Sequence, residues 1–242
     1  MPARRLVALA AVYLAGCVLP FAAASAEEYL PLDLGRRWIY FSQQGIEVRE
    51  VIGTREIWNS PVSVIRHTES PINPDLENYW STGTDGDVLL WGYFIERVDR
   101  GMLYDPPVPV VDAPLHLGRV WSHRFTAYQL PDTSFYGIFT ISFEVLQEGS
   151  VQTPAGNFTA CAVGQPAGMP LNGPTLCGRV LEGVGPQTAT DWYCDGIGPV
   201  QYLGNVMYHL MSYDEPTPTE QTSWGAIRAL YGPHSLPFPE HP

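Results

Sequence analysis

The chain contains no lysine: its 13 basic side chains are all arginines, set against 25 acidic residues, for a formal charge of −12 at pH 7. That absence excludes a P-loop and every lysine nucleophile. With acids in excess there is no cationic surface to neutralise phosphates, so nucleic acid is not an expected partner. Cysteine is scarce, with four residues and no CxxC spacing, which argues against a zinc knuckle. Helical periodicity is nearly missing after the first 26 residues. Neither GxSxG nor GxGxxG occurs, so a nucleophile elbow and a dinucleotide cradle are both unsupported. The surplus of acid is read as the charge that keeps an aromatic-rich chain soluble.

The N-terminus carries an export pattern. Arg4 and Arg5 precede an apolar run from Leu6 to Phe21, and Ala24-Ser25-Ala26 offers a small-residue cleavage site. Residues 1–26 are therefore expected to be a signal peptide. Within them 14-LAGC-17 resembles a lipobox, the alternative being lipidation at Cys17. Either route predicts an exported protein, periplasmic or extracellular, touching membrane only through a lipid anchor. Removing 26 of 242 residues leaves 216, with 11 arginines and 25 acids, a charge of −14. An oxidising compartment favours a disulfide among Cys161, Cys177 and Cys194. Cys161–Cys194 is preferred because the two flank a predicted strand pair, and the two pairings with Cys177 stay open.

Short β-branched and aromatic runs recur between Gly, Pro, Asn and Asp clusters. They predict strands over 37–42, 46–53, 62–68, 77–83, 87–94, 119–128, 136–149, 157–164, 190–194 and 199–213. Phe139, Ile141, Phe143 and Val145 alternate with polar residues, as a half-buried strand does. The proline-rich 104-YDPPVPVVDAP-114 reads as an extended crossing along a sheet edge, anchored by Val108, Val110 and Val111.

One octet is written twice. 31-PLDLGRRW-38 and 114-PLHLGRVW-121 share six residues, and the features that follow stay collinear: Val51 with Val145, Pro61 with Pro154, 79-YW with 192-WY. The expectation is a single domain over 27–213 made of two related meanders, about 29–103 and 112–213, followed by an extension over 214–242. In each octet the glycine permits a turn, two leucines spaced by two point to one side, and the tryptophan (Trp38, Trp121) enters a strand on its core face. The predicted fold is all-β, an antiparallel sheet curled into a half-barrel or a flattened barrel.

Together with 104-YDPPVP-109, 153-TPAGNF-158 and 192-WYCDGIGPV-200, the octets resemble a group of uncharacterised bacterial exported proteins and lipoproteins. The resemblance spans about residues 29–213 and implies a curled antiparallel sheet, similar in broad shape to periplasmic carriers of the LolA type. It supplies no catalytic residues. Cys194 departs from the group's closing motif.

Candidate chemistry is thin. The histidines are scattered; His116 occupies the polar slot that Asp33 holds in the first octet, while His123 and His209 are placed to meet across a sheet. Asp85/Asp87 and Asp191/Asp195 are carboxylate pairs, but 83-GTDGDV-88 and 195-DGIG-198 read as turns. No residue set calls for a metal or a cofactor. The aromatic surplus is the stronger signal, because a large apolar face must be covered by the chain, a partner or a ligand. Trp58, Trp80, Trp91 and Trp192 are the candidate binding residues. The functional expectation is a non-catalytic envelope protein that binds an apolar ligand or a protein partner. The alternatives are a structural module, or an exported hydrolase using Asp191, Asp195 or His209.

Overall fold

The computed structural model describes residues 28–70, 75–164, 190–203 and 207–214. The signal segment with Cys17, Cys177, and the extension beyond Asp214 lie outside the described residues. Among the described residues twelve strands follow one another: β1 Arg37–Ser42, β2 Gly45–Ile57, β3 Ser60–Thr68, β4 Leu76–Thr82, β5 Val88–Ile95, β6 Arg100–Val111, β7 Val120–Leu130, β8 Ser134–Thr153, β9 Gly156–Gly164, β10 Thr190–Cys194, β11 Gly198–Leu203 and β12 Met207–Asp214. Each pairs antiparallel with its chain neighbours, and β12 returns to β1, so the sheet closes into a barrel. Closure removes both sheet edges. Of the two curled forms expected, the chain takes the closed one.

Two expectations about strands are corrected. Residues 104–111 are not a crossing; they continue β6, and beyond Asp105 they pair only with β5, so the edge expected for them is local to that stretch. Prolines are tolerated there because β7 pairing stops at Asp105, before the residues that lack an N–H. The run 199–213 is not one strand: it divides into β11 and β12, which pair through Tyr202 and Tyr208.

Both octets build the same corner. Gly35 donates its N–H to Val51 O at 2.8 Å, Arg36 to Asp33 O at 2.9 Å, and Val51 to Arg36 O at 2.9 Å. Gly118 to Val145, Arg119 to His116 and Val145 to Arg119 repeat the set at 2.9, 3.0 and 2.9 Å. Gly35 and Gly118 have φ of 83° and 79°, the left-handed conformation this turn requires. The turn also corrects the leucine expectation. Extended-chain alternation fails across it, so Leu34 and Leu117 are exposed, at 68% and 60%. Trp38 and Trp121 are buried as expected, and their indole N–H groups donate to Ile197 O at 2.6 Å and Pro109 O at 2.8 Å.

The barrel is filled by its own side chains. Trp38, Tyr40, Trp80, Tyr104, Trp121, Phe125 and Tyr208 share one buried cluster with Leu90, Val145 and Leu210. A second, smaller cluster lies on the opposite face. Asn78 and Trp80 face the lumen, so Tyr79 between them faces outward, and its row continues through Val64 on β3 and Gly92 on β5 to Leu103 on β6. Ile57, Val62, Val64, Tyr79 and Leu103 are nevertheless buried there, packed with Trp91, Phe94 and Leu130. Glycines permit the tight approach of β5 and β6 beneath this cluster. A Cβ at Gly92 would stand 2.1 Å from Met102 O, and one at Gly101 2.1 Å from Tyr93 O.

Candidate functional site

The lumen holds a charged cluster that the sequence did not announce. Register places Trp38, Arg49 and His67 side by side, all facing inward. Arg49 Nε donates to Glu47 Oε1 at 2.7 Å, His67 Nδ1 lies 3.2 Å from the same oxygen, and Ser70 Oγ donates to Glu47 Oε2 at 2.9 Å. The Arg49 guanidinium sits in the corner of two nearly perpendicular rings, 4.8 Å from the Tyr40 ring centroid and 4.1 Å from that of Tyr202. Burial opposes ionisation of Glu47, but the charges and hydrogen bonds of Arg49 and His67 prevail and hold its carboxyl well below the ordinary value. The cavity beside this cluster, bordered by Trp80, Asn78 and Asp191, has about 30 Å³. That is enough for a water and too small for an organic ligand.

The roomier site is outside the barrel, over the second cluster. A groove of about 330 Å³ is lined by Arg55, Ile57 and Trp58 of the β2–β3 hairpin, with Tyr79, Phe94, Leu103 and the Leu130–Pro131 turn. Glu56 also borders it. Trp58 stands at its mouth, 43% exposed, with its ring centroid 5.6 Å from Tyr128 and 6.5 Å from Trp91. Trp91 is held by its indole N–H, which donates to Ser81 Oγ at 2.8 Å. The two hairpin-turn residues, Trp58 and Asn59, have φ of 46° and 63°. Two positive values suit a tight hairpin, but Asn-Gly is the usual pair; a tryptophan in this conformation is strained. Arg55 Nη1 donates to the Tyr79 hydroxyl at 2.6 Å, with the guanidinium 5.3 Å from the ring centroid. Burial raises the Tyr79 phenol above its ordinary value, and Arg55 offsets part of the rise.

The four candidate tryptophans therefore separate. Trp58 lines the outer groove, and Trp91 packs against it from outside the lining. Trp80 is buried in the lumen. Trp192 stands opposite Gln201 in the β10–β11 register, the row that also holds His209, away from both cavities. Arg55, Tyr79 and Tyr128 were missed. They come from three separate strands, and no local spacing links them.

The expected chemical pairs do not assemble. Cross-strand register sets Asp191 on the face of Tyr202 and Tyr208, which point into the lumen, and His209 on the opposite face with Gln201. Asp195 Oδ1 accepts the Glu28 N–H at 2.6 Å in the turn after β10. His123 on β7 and His209 on β12 do not pair, because four strands separate theirs in the barrel. Among the described residues no cluster of His, Cys, Asp and Glu could hold a metal ion. No sulfur–sulfur bond joins Cys161 to Cys194. Cys161 is directly opposite Tyr193, and Cys194 is the next residue along, so alternation sends the two sulfurs to different faces. Burial, with Asp195 beside it, pushes the Cys194 thiol up and away from thiolate reactivity. The two predicted turns stand where expected, 83–87 between β4 and β5 and 195–197 between β10 and β11. The second clamps the first octet: Gly196 O accepts from Arg36 Nη2 at 2.7 Å and Ile197 O from Trp38 Nε1 at 2.6 Å.

No protein-family model and no curated protein matches the chain. Among solved structures it is similar to a protein from Bacteroides fragilis assigned as exported, with a YmcC-like fold, at 17% identity and a TM-score of 0.41 over 78% of this chain and 100% of that one. It is also similar to a protein from Parabacteroides distasonis assigned as a lipoprotein, at 13% identity and a TM-score of 0.39 over 78% of this chain and 99% of that one.

Proposed function

We propose that this is an exported envelope protein that binds a single apolar chain in the groove lined by Trp58, Phe94 and Leu103, without catalysis. Export is inferred from the basic, apolar and small-residue pattern of residues 4–26. One observation carries the binding reading: a tryptophan held in a strained turn, 43% exposed, at the mouth of a groove of about 330 Å³. Such strain persists where function uses it, and the volume falls at the lower end of the roughly 300–1,000 Å³ typical of small-molecule sites. The same proposal takes β1–β6 and β7–β12 as two related units, each opened by one octet corner.

The test is titration of the purified, delipidated protein with a fluorescent fatty-acid probe. Binding is expected, and Trp58→Ala should weaken it about tenfold or more while leaving the circular dichroism spectrum unchanged. A protein that binds no probe at all defeats the proposal. A second reading, docking of a protein partner, draws on Phe135, Tyr136 and Ile138, which are 65%, 48% and 54% exposed on the neighbouring β7–β8 hairpin. Pull-down from envelope extract with a Phe135→Ser variant as control tests it.

A further inference from the structure

We infer that the groove is selective for an acyl chain with an anionic head, and that Arg55 receives that head. The inference rests on the reading of the groove as an acyl site and adds the charge of what enters it.

Arg55 differs from the three arginines whose acid partners fix them. Arg49 is paired with Glu47, Arg66 with Glu77 and Arg119 with Asp112. In a chain with nearly two acids per arginine, Arg55 has no carboxylate partner among the described residues, although Glu56 is its neighbour in sequence. Its one hydrogen bond is to the hydroxyl of Tyr79, whose ring is fully buried. That bond fixes the guanidinium at the wall of the groove and uses one of five donors. The remaining donors suit bidentate acceptance of a carboxylate or phosphate. The rest of the lining is largely Ile57, Phe94, Leu103 and Leu130, with Glu56 as its carboxylate; Arg55 is exposed, so water screens part of the attraction and the preference rests on the two-point hydrogen bond. An ammonium head would meet like charge, and a neutral head would gain no hydrogen bond between two charged groups. The groove volume fits one chain of moderate length, not the two tails of a phospholipid.

The experiment compares four amphiphiles with matched chains on the full protein, each below its micelle-forming concentration and read by intrinsic tryptophan fluorescence: laurate, lauroyl lysophosphatidate, lauryl alcohol and laurylamine. At least one of the two anions should bind about tenfold or more tighter than the alcohol and the amine, in line with a charge-assisted hydrogen bond. The tighter anion identifies the head as carboxylate or phosphate. Arg55→Gln should erase that advantage and leave lauryl alcohol unchanged. Because Arg55 is exposed, the variant is expected to fold, which circular dichroism checks. If the anions bind no better than laurylamine, or if Arg55→Gln keeps their advantage, the inference is overturned and the acyl groove stands. If none of the four binds, the acyl groove itself falls and the inference with it.

Discussion

Glu47 shows how a single residue can be misplaced by pattern alone. In 46-IEVREVIG-53 the apolar residues alternate with Glu47, Arg49 and Glu50, and alternation would turn Ile46 and Val48 inward. The barrel does the reverse with Glu47 and Arg49, because Tyr40 and Tyr202 offer ring faces and His67 and Ser70 offer donors. Those partners come from β1, β3, the segment just after β3 and β11, so no local reading of β2 could supply them. The consequence is a pH dependence with a definite sign. In the folded chain the Glu47 carboxyl ionises well below the ordinary 4.5, and on unfolding it returns to that value. The stability it contributes is present above 4.5 and is lost as the pH falls through the folded value. Glu47→Gln removes the carboxylate and leaves Arg49 buried without a counter-charge, at a cost of about 3–5 kcal/mol near neutrality. Urea unfolding of both proteins should show that gap narrowing as the pH drops below 4.5. A gap that stays constant with pH refutes the assignment.

At the scale of elements, the octets were the most legible part of the chain. Their prolines, glycine and tryptophan each have a conformational requirement, and Trp38 and Trp121 are buried as those requirements imply. The turn inside each octet was legible from its glycine, but the leucine alternation expected on either side of it does not survive the turn; hence the exposed Leu34 and Leu117. β6 was obscured by its prolines, which signal a loop unless one knows that β7 pairing has already ended at Asp105. Gly92 is a third case. A lone glycine in 87-DVLLWGYF-94 looks like an interruption, yet it is where β5 and β6 come closest, with φ of 149°. Gly92→Ala would drive a Cβ to 2.1 Å from Met102 O. We expect a loss of about 2–3 kcal/mol in unfolding free energy, from strain and overpacking together. Gly149→Ala, whose Cβ meets nothing within 4 Å, is the matched control and should change little.

On the scale of the whole molecule, composition alone indicated an antiparallel β protein with more apolar face than small turns need. It did not indicate where the surplus goes. The lumen is occupied by the chain's own aromatics, with about 30 Å³ left beside Arg49, while the outer face of β4–β7 and the end of β2 carry a groove of about 330 Å³. That inversion follows from the packing of Arg55 and Ile57 at the end of β2 with Tyr79 on β4, which leaves no signature in local sequence. The central claim is therefore that an apolar ligand binds outside the barrel and not within it. Indole N–H resonances of the isotope-labelled protein, followed during a laurate titration, test it most directly. The signals of Trp58 and Trp91 should move, and those of Trp38, Trp80 and Trp121 should stay in place. Movement of the three lumen indoles with Trp58 and Trp91 unmoved would contradict it.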